Sequence, residues 1–280
     1  MRSRRILLRV ELSLVLLTIG ASAVSQTSSW EHLSVPSGSG VNALAINSDG
    51  QIFVGNYNHG AYRSTDNGIT WVKISDLYIS QSFGFTPSGN VFLSGNDYSG
   101  NKLKNYTYRS NDGGTTWNQV AGGLQDREVR SFLLLPNGGF LAATDKGVYS
   151  SVDSGSTWVQ SRLEGFYVYS LQLNAGGQIF AGTDSGIYRS VDAGENWNQV
   201  GLAEKSIGWI AMNRSNGHLF VTVWGGGVYR STDNGVNWLM VSAGLPTISA
   251  RGIAVDKNGN VFFGTYGTGI YYSTDGGDSW

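Results

Sequence analysis

"STDNGITW", residues 64–71, returns with small changes as "SNDGGTTW" (110–117), "SVDSGSTW" (151–158), "SVDAGENW" (190–197), "STDNGVNW" (231–238) and "STDGGDSW" (273–280). The closing Trp falls at 71, 117, 158, 197, 238 and 280, so the phrase recurs every 39 to 46 residues. Trp30 lies 41 residues before Trp71 and opens "WEHLSV", much like the "WVKIS" that follows the first phrase. A fixed period of this length is the mark of a repeat architecture.

One unit shows what is repeated. "VNALAIN" (41–47) alternates in the manner of a strand, "SDG" (48–50) is a tight turn, and "QIFVGN" (51–56) is a second strand. "GAYRS" (60–64) is a third, the eight-letter phrase follows, and "WVKIS" (71–75) is a fourth. The first turn recurs as "PSGN" (87–90), "PNGG" (136–139), "NAGG" (174–177), "SNGH" (215–218) and "KNGN" (257–260), where Gly supplies a positive φ. Four antiparallel strands in about 40–45 residues predict a propeller blade. The fold class expected is therefore all-β, a propeller with six blades in this chain.

The phrase itself reads as a corner. Its Asp (Asp66, Asp112, Asp153, Asp192, Asp233, Asp275) is placed to accept backbone N–H groups of its own turn. Its Gly takes the left-handed conformation without steric cost, and its Trp is large enough to fill the space between sheets. Calcium is the rival reading of "DNG". A single carboxylate with no Glu at loop position twelve does not make an EF-hand. No His/Asp/Glu cluster has metal spacing, no nucleophilic triad stands out, and no cofactor is implied.

Composition agrees. The 280 residues include 40 Gly, 9 Trp and 14 Tyr, with only 4 Pro, no Cys and 14% charged residues. "MRSRR", the apolar run to Val24 and the small residues Ala21, Ser22 and Ala23 read as a signal peptide over 1–23, leaving a propeller over 24–280. Export to the periplasm, the cell surface or the medium is the expectation, with no disulfides. Loss of four Arg and one Glu takes the net charge from −1 to −4, which offers nothing to nucleic acid or to an anionic membrane.

The pattern S-x-D-x-G-x-[T/N/S]-W resembles the Asp-box, or BNR, repeat, and the resemblance covers essentially all of 24–280. It implies a β-propeller similar to those of sialidases, xyloglucan-active hydrolases, sortilin-type receptors and photosystem II assembly factors. In those families the box is structural and lies away from the active site, so the resemblance leaves function open. The Arg-Ile-Pro motif of sialidases is absent. Arg63, Arg109, Arg189 and Arg230 share one repeat slot, which speaks for a structural or surface role. The xyloglucan-active enzymes use two propellers around a cleft, and one is seen here.

A site should lie where repeats differ. Alignment of the first strands on their turn Gly places Asn42, Gln81, Arg130, Tyr169, Gly208 and Arg251 in one ring, at the end opposite the boxes. The loops between second and third strands reach the same end. With Trp209 they add Tyr57, Tyr98, Trp224 and Tyr266 to Tyr169 as aromatic surface, which suits sugars or peptide side chains or else covers blade edges. Carboxylates for glycoside hydrolysis are Asp76, Asp97, Asp126, Glu128, Asp145, Glu164, Asp184 and Glu204, and no pair is singled out. The expectation is a non-catalytic propeller that binds a glycan or an extracellular or periplasmic protein. A glycoside hydrolase and an assembly scaffold are the alternatives. The strand after Trp30 would complete the last blade. A sequence whose final letter is the Trp of a box predicts a further blade or a sorting segment in the intact protein.

Overall fold

The structure, a computed structural model, describes residues 40–56, 59–76, 80–97, 104–245 and 250–280. The expected signal peptide over 1–23 and the expected strand in "WEHLSV" lie outside these residues, as do Tyr57 and Tyr98. Among the described residues there are 23 strands and no helix. They form six antiparallel sheets in chain order, five of four strands and a sixth of three. The described residues form a β-propeller of six blades.

The innermost strands are β1 (Val41–Ile46), β5 (Ser80–Phe85), β9 (Val129–Leu134), β13 (Val168–Leu173), β17 (Ile207–Met212) and β21 (Ala250–Val255). Each packs beside the next from β1 through to β21. The second strands of blades 1, 3, 4 and 5 are buried along their whole length. Buried on both faces, they read as "IFVGN", "FLAAT", "IFAGT" and "LFVTV" rather than as alternating apolar and polar letters.

Blades join head to tail. The second residue of each second strand points forward, and Phe53, Phe92, Leu141, Phe180 and Phe220 are all fully or almost fully buried there. Phe53 meets Phe83 and Phe85 of blade 2, and Phe92 meets Phe140 and Trp158 of blade 3. The box Gly of the following blade makes room: a methyl on Gly155 would run into the Phe92 ring, and one on Gly235 would meet Phe180. The repeated Arg closes the junction. Arg109 Nη1 donates to Ser156 Oγ (2.7 Å), Arg189 Nη1 to Asn234 O (3.0 Å) and Arg230 Nη1 to Gly276 O (2.7 Å). Arg63 likewise donates to Gly113 O. The shared slot is thus an inter-blade clasp from one blade to the next blade's box.

Blade 6 presents the same forward face without a cover among the described residues. Ala61, Val148, Ile187 and Val228 are fully buried, whereas their counterpart Ile270 is 43% exposed. Tyr272 stands in the Arg slot, is 62% exposed, and stacks on Phe262.

The boxes are self-bonded corners, as their letters predict. In the fourth, Ser190 Oγ donates to Asp192 Oδ1 (2.7 Å) and accepts from Gly194 N (2.9 Å). Asp192 Oδ1 accepts from Asn196 N (2.9 Å), Oδ2 accepts from Asn196 Nδ2 (2.7 Å), and Trp197 Nε1 donates to Gly194 O (2.9 Å). The Ser–Asp, Gly–Ser and Asp–(i+4) bonds recur in the other five boxes. Two consecutive residues of each corner have positive φ, for example Ala193 at 59° and Gly194 at 93°.

The box carboxylates are acidified by these bonds. The Thr70 hydroxyl and amide hold Asp66 at about 2, and the Asn237 amide and side chain do the same for Asp233. Asp153 is held at about 2 by the Thr157 amide first. Asp112, Asp192 and Asp275 are shifted the same way. No group of three or more potential metal-ligating side chains occurs among the described residues.

Candidate functional site

Each first strand carries a β-bulge near its start. In β1 Val41 pairs with Asn56 and Ala43 with Gly55, which leaves Asn42 as the extra residue. The same interruption isolates Gln81 in β5, Arg130 in β9, Tyr169 in β13, Gly208 with Trp209 in β17, and Arg251 in β21. These are the ring positions expected from the sequence. A bulge frees one residue from the ladder and re-aims its side chain. The scaffold therefore repeats a display position and varies what it displays. The bulge lies at the start of the inner strand, the box at the end of the third strand, so the two occupy opposite ends of each blade.

Four of the six blades contribute to a continuous band at the bulge end. Tyr167 and Tyr169 stack with ring centroids 4.7 Å apart, Tyr169 approaches Trp224 at 6.0 Å, and Trp224 stacks on Trp209 at 5.8 Å. Two guanidiniums flank this row. Arg130 lies 5.8 Å from the Tyr167 ring and 5.9 Å from Tyr169. Arg251 lies 5.6 Å from Trp224 and 4.6 Å from Tyr266. Trp224 is 39% exposed and Tyr266 53%, so the band reaches solvent.

Local sequence explains the arrangement. Gly208 has no side chain, and the indole of Trp224 occupies the space, with its Nε1 3.0 Å from where a Cβ would stand. Thr222 Oγ1 accepts from Trp209 N (2.9 Å) and steadies the wide bulge of β17. Glu128 sits two residues before Arg130 and pairs with it at 2.9 Å. Its own amide donates to Asp145 Oδ1 (3.1 Å). Burial, then the nearby Glu128 carboxylate, push the Tyr167 hydroxyl well above the ordinary tyrosine range, against the pull of Arg130. Tyr167 is thus a neutral aromatic surface at any physiological pH.

Of the expected ring, Arg130, Tyr169, Trp209, Trp224, Arg251 and Tyr266 come together. Asn42 is half-buried at its bulge in blade 1. Gln81 holds the bulge position of β5, Tyr57 and Tyr98 lie outside the described residues, and the band as described spans blades 3 to 6. The sequence does not single out Tyr167, and it presents Glu128 only as one carboxylate among eight. The available signal was spacing: each lies two residues before a ring position, on the same side of an extended chain.

One of the boxes at the opposite end lies in a segment that matches a known repeat. Residues 62–73 match the model of the BNR/Asp-box repeat, and residues 83–204 match that of the DUF6242 beta propeller domain. None of the curated proteins compared with this sequence matches it. Among solved structures, an ancestral GH74 enzyme is similar over 90% of this chain with a TM-score of 0.70 at 20% identity. The GH74 xyloglucanase from Xanthomonas campestris is similar over 90% with a TM-score of 0.68 at 19% identity. This chain spans 38% and 46% of the lengths of those two proteins. YCF48 from Cyanidioschyzon merolae is similar over 90% of this chain and 87% of its own length, with a TM-score of 0.68 at 18% identity. At these identities the likeness shows the fold.

Proposed function

We propose that this chain is an exported, non-catalytic propeller that binds a glycan on the bulge end, across blades 3 to 6. The observation that carries the reading is the row Tyr167–Tyr169–Trp224–Trp209, flanked by Arg130 and Arg251. Flat aromatic rings stack on the apolar faces of sugar rings, and a few fixed polar groups set orientation. A protein partner is the other class of ligand such a surface serves. The continuous row of aromatic rings, with Trp224 reaching solvent, favours the sugar. On this end Glu128 is engaged by Arg130, and Asp145 by the Glu128 amide, which supports binding rather than hydrolysis.

A glycan array probed with the full chain tests the reading. Retention on a defined set of glycans is expected, and Tyr169→Ala with Trp224→Ala should abolish it while the melting temperature stays within a few degrees. Unchanged binding in that double variant would place recognition elsewhere. Release of reducing ends from the retained glycans would replace binding by hydrolysis as the activity.

A further inference from the structure

The band holds two arginines in matching surroundings, with one difference between them. Arg130 lies beside Tyr167 and Tyr169 and is paired with the Glu128 carboxylate at 2.9 Å. Arg251 lies beside Trp224 and Tyr266 and forms no ion pair among the described residues. Its Nε is shut off from solvent and has no hydrogen-bond partner among them.

A guanidinium does not give up its proton, so its charge must be answered by rings, water or an anion. The two rings answer part of it through their π faces. They leave the planar fork, whose hydrogen-bond donors match two oxygens of one anion. Nε, shut off from solvent, is out of a ligand's reach, so the two terminal nitrogens are the donors that would meet an anion. The other arginine of the band shows what such a fork accepts beside two aromatic rings: a carboxylate.

Resting on the glycan-binding reading, we propose that Arg251 seats an anionic substituent of the bound glycan, a carboxylate or a sulfate, between Trp224 and Tyr266. The stacked pair Trp209 and Trp224 receives a sugar ring, and the acid group turns toward Arg251. The ligand class is an acidic polysaccharide rather than a neutral glucan. Glu128 keeps Arg130 neutralised, so the acidic subsite lies at the blade 5 to blade 6 end of the band.

Isothermal titration of the full chain tests this with three hexasaccharides. One alternates glucuronate and N-acetylglucosamine, one is its carboxyl-reduced form, and one is the reduced form bearing sulfate. An acidic peptide serves as control. About tenfold or tighter binding of one or both charged sugars over the reduced form is expected, falling as salt is raised. The charged probe that binds tighter names the source of the anion. Arg251→Gln should bring the three sugars to equal affinity, whereas Trp224→Ala should weaken all of them. The preference of the unmodified chain and its salt dependence test the subsite even where a variant fails to fold. Equal affinity for the three sugars, or an unchanged preference in Arg251→Gln, overturns the acidic subsite and leaves glycan binding standing. Binding of the peptide alone, with no sugar and no array glycan retained, overturns the glycan reading itself.

Discussion

The two ends of a blade solve opposite problems. At the box end, six corners use the same kind of side chains to close the same hydrogen bonds, and four of them receive an arginine from the preceding blade. At the bulge end, six copies of one backbone irregularity carry Asn42, Gln81, Arg130, Tyr169, Gly208 with Trp209, and Arg251. Stability requires every junction to be alike, so the corner letters repeat. The proposed recognition requires blades to differ, and the bulge letters do diverge on a backbone that does not. Substitutions at one end should therefore unfold the protein, and at the other leave it folded and alter what it holds.

The sharpest way to break that contrast is at a box glycine. Gly155 has φ +79° and abuts the Phe92 ring. Gly155→Val should cost on the order of 3 kcal/mol or more, through left-handed strain and overpacking together, read as a lowered midpoint in urea. Next comes the buried hydroxyl of Ser190, which accepts from the Gly194 amide. Ser190→Ala strands that amide and should cost about 1–3 kcal/mol by the same measurement.

Acid sharpens the comparison without mutation. The box carboxylates have folded values depressed to about 2 in Asp66, Asp153 and Asp233, below the unfolded value near 4. Their stabilisation is fully present above pH ~4 and is lost as pH falls through the folded value. The melting temperature should hold level from pH 7 to about 5 and drop between about 4 and 2. Thr157→Val removes a hydroxyl donor to Asp153, which brings its folded value closer to the unfolded one, so the drop should become shallower and end at a higher pH.

A smaller effect has the opposite sign. Ala193 is held at φ 59°, where boxes 2 and 6 have Gly113 and Gly276. Ala193→Gly should stabilise by roughly 1 kcal/mol, a rise of a few degrees in the melting temperature. Smallest of all is Tyr266→Ala at the other end, since that ring is half exposed. Stability should change by less than about 0.5 kcal/mol, while affinity for the anionic sugar falls. A large loss of stability there would erase the distinction between the two ends.

Much of this was legible in the letters. Blade number, box corners and ring positions follow from periodicity, because a repeated unit exposes which positions hold still and which change. Three things were hidden by pairing register. The bulge adds one residue to every first strand alike, so no copy looks longer than another. The placing of the Trp224 indole over Gly208 depends on a turn meeting a neighbouring strand. The pairing of Glu128 with Arg130 needed the extended spacing that strand geometry supplies. Periodicity shows the Arg clasp as one slot, but its partner lies in the following unit, some 45 to 50 residues away.

That clasp has a direction. Each unit reaches forward with an arginine or a large apolar residue and offers its own corner backward, so the mating surfaces are unlike halves of a single joint. No joint carries any record of how many units there are. A tandem duplication inserted between blades 4 and 5 would find a compatible neighbour on either side, and a deletion would rejoin the flanks in register. Such a molecule can change its count in evolution by recombination at the period, each new copy arriving with a bulge whose side chain is free to specialise.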